Sequence, residues 1–177
     1  MKGARGSPAI VSSAHLVSEK AGSLSQFEFG LIVASNAFNR WIVRCMAAAG
    51  QGDLAALDVL VLHSVHHRGR EKKLADLCFI LNIEEPHTVT YSLKKLVRAG
   101  LISGERRGKE IHYGVTEAGE AACLAYREVR EACLIEALDA LSGADPKTFN
   151  AEVAEAAGLL RALSGLYDQA ARGAASL

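Results

Sequence analysis

The stretch PHTVTYSLKKLVRAGLISGERRGKEIHYGVT, residues 86–116, decides the fold. Residues 86–99 predict an amphipathic helix, because apolar residues recur there at the spacing of one helix face. Pro86 suits the first turn, where its missing N–H is not needed, and Gly100 suits the position after the last turn, where φ is often positive. The apolar stripe consists of Val89, Leu93, Leu96 and Val97.

The opposite face of this helix carries hydrogen-bonding and cationic side chains. At about 100° per residue, these side chains cluster within about a third of the helix circumference, with two threonines at the edges. A polar, cationic face on a helix anchored by its far side indicates contact with a charged partner. The clustered residues are His87, Tyr91, Lys94, Lys95 and Arg98, and the threonines are Thr88 and Thr90.

A short β-hairpin is predicted directly after the helix. Leu101 and Ile102 form a brief apolar run, and residues 111–115 alternate apolar and polar side chains as a half-buried strand does. The turn between them, residues 104–110, contains two glycines and three cations, which suits contact with a phosphate backbone or entry into a minor groove. A solvated surface loop is the alternative interpretation. The three cations are Arg106, Arg107 and Lys109.

A shorter helix is predicted upstream over residues 71–81, from the apolar spacing of Leu74, Leu77, Cys78 and Leu81. Two helices joined by a brief turn form a helix-turn-helix, whose second helix enters the major groove of DNA. With the hairpin as a wing, the sequence predicts a mainly α winged helix-turn-helix over residues 53–116 and double-stranded DNA as the partner. Phosphate contacts are predicted for Lys72 and Lys73, at the start of the shorter helix.

Residues 53–119 resemble the MarR-type winged-helix regulators. The shared features are a Leu-Ala-containing helix, a Thr-Val-Thr sequence in the recognition helix, a Leu-x-x-x-Gly-Leu-Ile sequence at its end, and Thr-Glu-x-Gly at the start of the next helix. The wing departs from the family, which usually carries Asp-x-Arg where residues 105–109 read Glu-Arg-Arg-Gly-Lys. The matching residues are Leu74-Ala75, Thr88-Val89-Thr90, Leu96 through Ile102, and Thr116 through Gly119.

The resemblance implies a homodimeric transcription regulator that binds a pseudo-palindromic operator. It also implies a small-molecule effector, held near Phe38, Trp41 and the end of a helix over residues 54–66, with a ligand-free regulator as the alternative. No cofactor is expected. We predict groove contacts by His87, Thr88, Thr90, Tyr91, Lys94 and Lys95, phosphate contacts by Arg98, Lys72 and Lys73, and wing contacts by Arg106, Arg107 and Lys109.

The charge of the chain is distributed unevenly. Its 20 basic and 20 acidic residues balance, but residues 117–177 hold ten acidic residues against five basic ones. Residues 1–52 carry five basic and two acidic residues, and residues 53–116 carry ten and eight. This asymmetry suits a protein with one phosphate-binding face, whose modest positive charge a dimer would double.

Long apolar helices on both sides of the winged helix predict the homodimer. A helix over residues 25–49 is predicted to begin with Ser25 as N-cap and Glu28 completing a capping box, and Asp53 to cap the next helix. These elements divide the chain into a flexible segment (1–23), an N-terminal dimerisation helix (24–52), the winged helix (53–116) and C-terminal dimerisation helices (117–177).

The C-terminal region is predicted to form two helices. Thr116 can cap the first, which reaches about Leu141, while Asp145 and Pro146 begin the second, which reaches about Ala171. Helices this apolar exceed what one small winged helix covers, so packing against a second copy would bury them. The alternative is a monomer whose terminal helices fold back on its own core.

Two further interpretations make the regulator redox-responsive or metal-responsive. The four cysteines, Cys45, Cys78, Cys123 and Cys133, lack metal-binding spacing and are predicted to be reduced, buried and apolar in role, although the resemblance makes Cys45 a candidate oxidant sensor. Three histidines, His63, His66 and His67, have a spacing that can present two imidazoles to a metal. Interaction with the helix C-terminus explains the histidines equally well, and no metal is assigned.

Other function classes have little support in the sequence. Charged residues or glycines interrupt every apolar stretch well short of about 20 residues, so no membrane partner is expected. The first residues lack a secretory pattern, which predicts a cytoplasmic protein, and no catalytic motif indicates an enzyme. A winged helix used only for protein assembly, without a specific DNA site, is the alternative function.

Overall fold

The computed structural model describes residue 18, residues 20–141 and residues 146–177. The chain forms two compact units, with the boundary between Val129 and Arg130. The predicted mainly α fold with a hairpin wing is confirmed. The described elements are α1 (Leu24–Ala48), α2 (Ala56–His66), α3 (Leu74–Leu81), α4 (Pro86–Arg98), β1 (Ile102–Arg107), β2 (Glu110–Val115), α5 (Glu117–Arg130), a π-helical turn (Glu131–Ile135), α6 (Glu136–Leu141) and α7 (Pro146–Ala174).

Helix α2 is the centre of the first unit. It contacts α1, α3, α4 and β2, and all of its apolar residues are buried or partly buried. A helix that is apolar on all sides belongs inside a core. The core that it organises includes Val59, Val61, Leu62 and Val65 from α2, Ile42 and Met46 from α1, Leu77 from α3, and Leu101 and Ile102 at the start of the wing.

Helix α4 packs on this core through a narrower stripe than the sequence predicted. Val89, Leu93 and Leu96 are buried, but Val97 is 41% exposed. Val97 lies about 80° around the helix from Val89, far enough to leave the core and face the wing. The helix ends at Arg98, one residue before the predicted end, and Gly100 follows with the predicted positive φ, at 71°.

Helix α3 begins at Leu74, so the prediction that the preceding residues form its first turn was wrong. The backbones of Lys72 and Tyr113 exchange two N–H···O bonds of 2.9 Å, which hold residues before α3 extended beside β2. The carboxylate of Asp76 then accepts the N–H of Lys73 at 2.8 Å. This bond satisfies one of the N–H groups that a helix start leaves unpaired.

Two predicted helix caps were also wrong. Helix α1 begins at Leu24 rather than after Ser25. The N–H of Leu24 donates to the carbonyl of Ala21, so a hydrogen-bonded turn directly precedes the helix. Helix α2 begins at Ala56, and its N-terminus is capped by the side chain of Asp58 rather than by Asp53. The Asp58 carboxylate accepts the N–H of Ala55 at 2.8 Å.

The predicted cap at Thr116 is confirmed. Its hydroxyl accepts the N–H of Gly119 at 3.1 Å and donates to the carbonyl of Gly100 at 2.7 Å, so it joins the end of α4 to the start of α5. In the second unit, α7 begins at Pro146 as predicted, and Asp145 lies outside the described residues, as does most of the segment 1–23. No described helix is both long enough and apolar enough to span a bilayer.

Candidate nucleic-acid interface

The outer face of α4 presents most of the predicted contact residues together. His87, Tyr91, Lys94 and Arg98 are all exposed, with Tyr91 at 65%. They project outward because Val89, Leu93 and Leu96 anchor the opposite side of the helix. His87 Nε2 lies 3.4 Å from a carboxylate oxygen of Glu85. The predicted cluster of polar and cationic groups on one helix face is therefore present for these four residues.

Thr88 and Thr90 flank this face and are half-buried. The Thr88 hydroxyl donates to the carbonyl of Glu85 at 2.8 Å, and the Thr90 hydroxyl donates to the carbonyl of Pro86 at 2.9 Å. Each hydroxyl hydrogen is therefore used within the helix, while the oxygens keep lone pairs. In this arrangement both threonines can accept hydrogen bonds from base amino groups but cannot donate to base carbonyls.

Lys95 lies on the side of α4 that faces α2. Its Nζ is 2.6 Å from the Asp58 carboxylate, whose side chain is 3% exposed. Burial alone would raise the pKa of Asp58, but hydrogen bonds from Lys95, Ser92 and the Ala55 N–H, with the charge of Lys95, hold that pKa below its ordinary value. The ammonium group of Lys95 is thus committed to holding α4 on α2, away from the exposed cluster.

The wing ends in a two-residue turn. Arg107 pairs with Glu110 across β1 and β2, leaving Gly108, with φ of 65°, and Lys109 as the turn. Two-residue hairpins require positive φ, which glycine adopts without strain. The Arg106 guanidinium donates to the carbonyl of Gly108 at 3.3 Å. Both Arg106 and Lys109 are exposed cations at the tip.

Arg107 is directed toward carboxylates of the protein. It binds Glu71 in a bidentate pair of 2.6 and 3.1 Å and also binds Glu105. These two carboxylates raise the pKa of Arg107, and Arg107 lowers the pKa of Glu105. Glu71 was not predicted as a site residue, because its role depends on the pairing of residue 72 with β2, which brings it beside the wing.

Lys72 and Lys73 are likewise engaged within the protein. Lys72 Nζ donates to the carbonyls of His67 and Arg70 at 2.9 and 2.6 Å. Lys73 Nζ lies 3.2 Å from the carboxylate of Glu110, the first residue of β2, beside the turn of the wing. The Lys73–Glu110 and Arg107–Glu71 pairs fix the wing to the linker before α3, whereas the bonds of the Lys72 ammonium lie within that linker.

The residues considered for redox or metal sensing lie in other parts of the fold. Cys45 is buried, and its thiol donates to the carbonyl of Tyr126 at 3.4 Å. The ring of His63 packs edge-on against Tyr126, with burial as the main cause of a lowered His63 pKa. Among the described residues, no three His, Cys, Asp or Glu side chains gather as metal ligands.

The prediction that every cysteine is buried was wrong for one residue. Cys123 is buried, and burial followed by the charge of Glu120 raises its pKa to about 11. Cys78 is partly buried against the core. Cys133 is exposed; it lies in the π-helical turn, in which no residue is buried.

Comparison with known proteins supports this description. Residues 54–119 match the family model of a winged helix DNA-binding domain. A crystal structure of a MarR family transcription regulator superposes with a TM-score of 0.65 at 17% identity, covering 84% of this chain and 95% of that one. The chain has the fold of the MarR family regulators. No curated protein matches the sequence.

Two further solved structures have similar scores. FabT of Streptococcus pneumoniae, solved in complex with DNA, gives a TM-score of 0.61 at 15% identity and covers 81% of this chain and 99% of its own. AbfR of Staphylococcus epidermidis gives 0.61 at 19% identity, with coverages of 80% and 95%. The chain therefore spans nearly the whole length of these structures, beyond the winged helix alone.

Proposed function

We propose that this protein is a DNA-binding transcription regulator of the cytoplasm, with a binding and not a catalytic role. The observation that carries the proposal is the exposed polar and cationic face of α4 beside a wing with two cations at its tip. FabT and AbfR, which share the fold, have both been solved bound to DNA. We assign base contacts to His87, Thr88, Thr90, Tyr91 and Lys94, a phosphate contact to Arg98, and wing contacts to Arg106 and Lys109.

Internal ion pairs and hydrogen bonds refine the remaining assignments. Lys73, Lys95 and Arg107 each pair with a carboxylate, and the Lys72 ammonium donates two bonds of 2.9 and 2.6 Å to carbonyls. Arg98 and Arg106 each donate one longer bond to a carbonyl, of 3.4 and 3.3 Å. A direct contact with DNA through any of the first four would break these internal bonds. We therefore propose that Lys72, Lys73, Lys95 and Arg107 hold the helix and the wing in position. Their positive charge still adds to the field that attracts DNA, since surface charges act over about 10 Å at moderate salt.

We propose further that the protein acts as a homodimer, through residues 24–52 and 117–177, on a pseudo-palindromic site. Apolar residues stand exposed in the middle of α1 and, in the other unit, along α7. A second copy would cover such faces and set two recognition helices about one DNA turn apart. From the resemblance to the MarR-type regulators we propose a small-molecule effector site near Phe38, Trp41 and the end of α2. The exposed residues are Leu31, Ile32, Val33 and Phe38 in α1, and Val153, Leu159, Leu160 and Leu166 in α7.

Selection of random duplex DNA by the purified protein at near-physiological salt tests this function. An inverted repeat with half-site centres about 10 base pairs apart is the expected result. Retention without a sequence motif, lost as salt rises, would contradict operator binding. That second result would favour the alternative, a winged helix that binds an acidic protein partner.

Lys94→Ala separates base reading from charge attraction. If Lys94 contacts a base edge, the variant should lose about tenfold in affinity for the selected site and clearly less for random duplex, because a good base contact contributes about 1–3 kcal/mol. Titration of both duplexes by fluorescence anisotropy measures the difference. Arg98→Ala is the control, for which equal losses on both duplexes are expected; equal losses for Lys94→Ala would make it a phosphate contact.

A further inference from the structure

Helix α3 exposes two neighbouring apolar side chains near its C-terminal end. Phe79 is 88% exposed and Ile80 is 51% exposed, whereas Leu77, about 200° around the helix from Phe79, is fully buried. Among the large apolar side chains that the structure describes, only the terminal Leu177 is more exposed than Phe79. Aromatic side chains are enriched in the centres of protein interfaces, because they bury a large apolar area. Phe79 and Ile80, the α3 patch, therefore suit a partner with an apolar face.

The charge around the α3 patch is negative. Residues 74–93 contain three carboxylates and no lysine or arginine. Two of the carboxylates, those of Glu84 and Glu85, belong to the turn that joins α3 to α4. Glu85 lies 3.4 Å from the ring of His87. Within the part of the chain that the structure describes, no side chain pairs with Glu84, so its charge is available to a partner.

This charge decides which class of partner fits. The phosphates of nucleic acid or of an anionic bilayer would be repelled by the carboxylates beside the patch. Two copies of the patch facing each other would bring like charges together, which disfavours contact between copies at this surface. Helix α3 also lies outside the segments proposed for dimerisation. The complementary partner is a second protein that carries cationic side chains beside an apolar face.

We propose that the α3 patch binds an amphipathic, cationic helix of a second protein. The apolar face of that helix packs on Phe79 and Ile80, and a lysine or arginine at its edge pairs with Glu84. Ala75, one turn before Phe79, is also exposed, and its small side chain leaves room for a helix to approach. This contact goes beyond the proposed function, because residues 74–85 carry none of the DNA contacts assigned above.

A designed peptide is the probe for this surface. It forms an amphipathic helix of about 18 residues, with leucine along one face and lysine along the edges of that face. Fluorescence anisotropy of the labelled peptide measures its affinity for the full chain. The double variant Phe79→Ser/Ile80→Ser should lower this affinity about tenfold or more, because it removes the apolar contact. Phe79→Leu, which keeps an apolar side chain, should stay within about threefold of the unaltered protein.

An unchanged affinity of the double variant would overturn the proposal, because the peptide would then be bound elsewhere, as on the exposed apolar residues of α1 or α7. Equal losses for Phe79→Leu and the double variant would also overturn it, since burial of an apolar side chain would not be the cause.

Glu84→Gln tests the charge of the surface. It should lower the affinity for the peptide about threefold at low salt and less at high salt, because an exposed ion pair is weak and is screened. Asp53→Asn is the matched control: Asp53 is an exposed acidic residue of the same unit, in the turn before α2, and its variant should bind the peptide as the unaltered protein does. Equal losses for the two variants would overturn the proposal. Equally tight binding of a peptide with glutamate in place of lysine would do the same.

Two further measurements separate the α3 patch from the other surfaces of the protein. The double variant should keep its affinity for the selected duplex, because the substituted side chains are exposed and lie outside the assigned DNA contacts. Its sedimentation should also match that of the unaltered protein; a loss of oligomers would show that a second copy covers the patch and would overturn the proposal. Failure of the unaltered protein to bind any duplex would overturn the proposed function and leave the peptide result intact.

Discussion

Asp58→Ala is expected to destabilise the winged helix by about 3 kcal/mol, because removing one partner of a buried pair leaves the other charge without compensation. Asp58 accepts bonds from Lys95 at 2.6 Å and from the Ala55 N–H at 2.8 Å. The variant loses both the attachment of α4 to α2 and a bond at the start of α2. Lys95 is 26% exposed, so partial hydration of its ammonium keeps the loss below the largest values for buried pairs.

Urea unfolding followed by tryptophan fluorescence measures this loss. Trp41, the single tryptophan of the chain, packs against the core and reports its opening. Asp53→Ala is the control: this exposed residue is the cap that the sequence predicted and the structure does not use, so its variant should change stability by less than about 0.5 kcal/mol. Equal stability of the two variants would show that the Asp58 pair contributes nothing.

The same carboxylate makes stability depend on pH. Hydrogen bonds and the charge of Lys95 outweigh burial and lower the pKa of Asp58 in the folded state, so folding favours the ionised form. Its contribution is fully present above the pKa of an unfolded aspartate, about 3.9, and is lost as pH falls through the lower folded value. Asp58→Asn should therefore show a smaller decline in stability than the unaltered protein below about pH 4. Parallel declines would contradict this assignment.

The parts of the site that the sequence predicted depend on local spacing. The apolar stripe of α4, the Thr116 cap and the turn at Gly108 each involve residues within a few positions, where helix and turn geometry determines what meets. The missed contacts join distant residues: Asp58 and Lys95 are 37 positions apart, and Glu71 and Arg107 are 36 apart. Periodicity placed Lys95 within the polar cluster, but only the packing of α4 on α2 shows that its ammonium group turns toward Asp58.

At the start of α3, a distant contact overrides a local sequence pattern. Residues 71–73 carry no signal against helix, and the apolar spacing that follows favours continuing the helix back to them. The pairing of Lys72 with Tyr113, across 41 positions, overrides that preference. This one bridge decides that Glu71 reaches Arg107 and that Lys73 reaches Glu110, and so determines which wing cations remain at the tip for DNA.

Gly119→Ala should be as damaging as the loss of Asp58, at about 3 kcal/mol, because overpacking against a fixed backbone cannot relax by a side-chain rotation. A Cβ at this position would overlap the carbonyl oxygen of Leu101 and lie 2.9 Å from Val115 Cγ2. The Leu101 oxygen also accepts the N–H of Thr116 at 3.1 Å, so it cannot withdraw without breaking that bond. The first turn of α5 would therefore have to move away from the base of the wing.

Such a movement would reach the DNA-binding surface as well as the core. Leu101 precedes β1 and Val115 ends β2, so displacing them shifts the hairpin relative to α4. We expect Gly119→Ala to bind duplex DNA more weakly even at a temperature where circular dichroism shows it folded. Gly52→Ala, with nothing within 4 Å of the added Cβ, should keep both stability and DNA affinity. Equal free energies of unfolding for Gly119→Ala and Gly52→Ala would contradict this prediction. That result would mean that the close contact of Gly119 with Leu101 does not constrain the position of the wing.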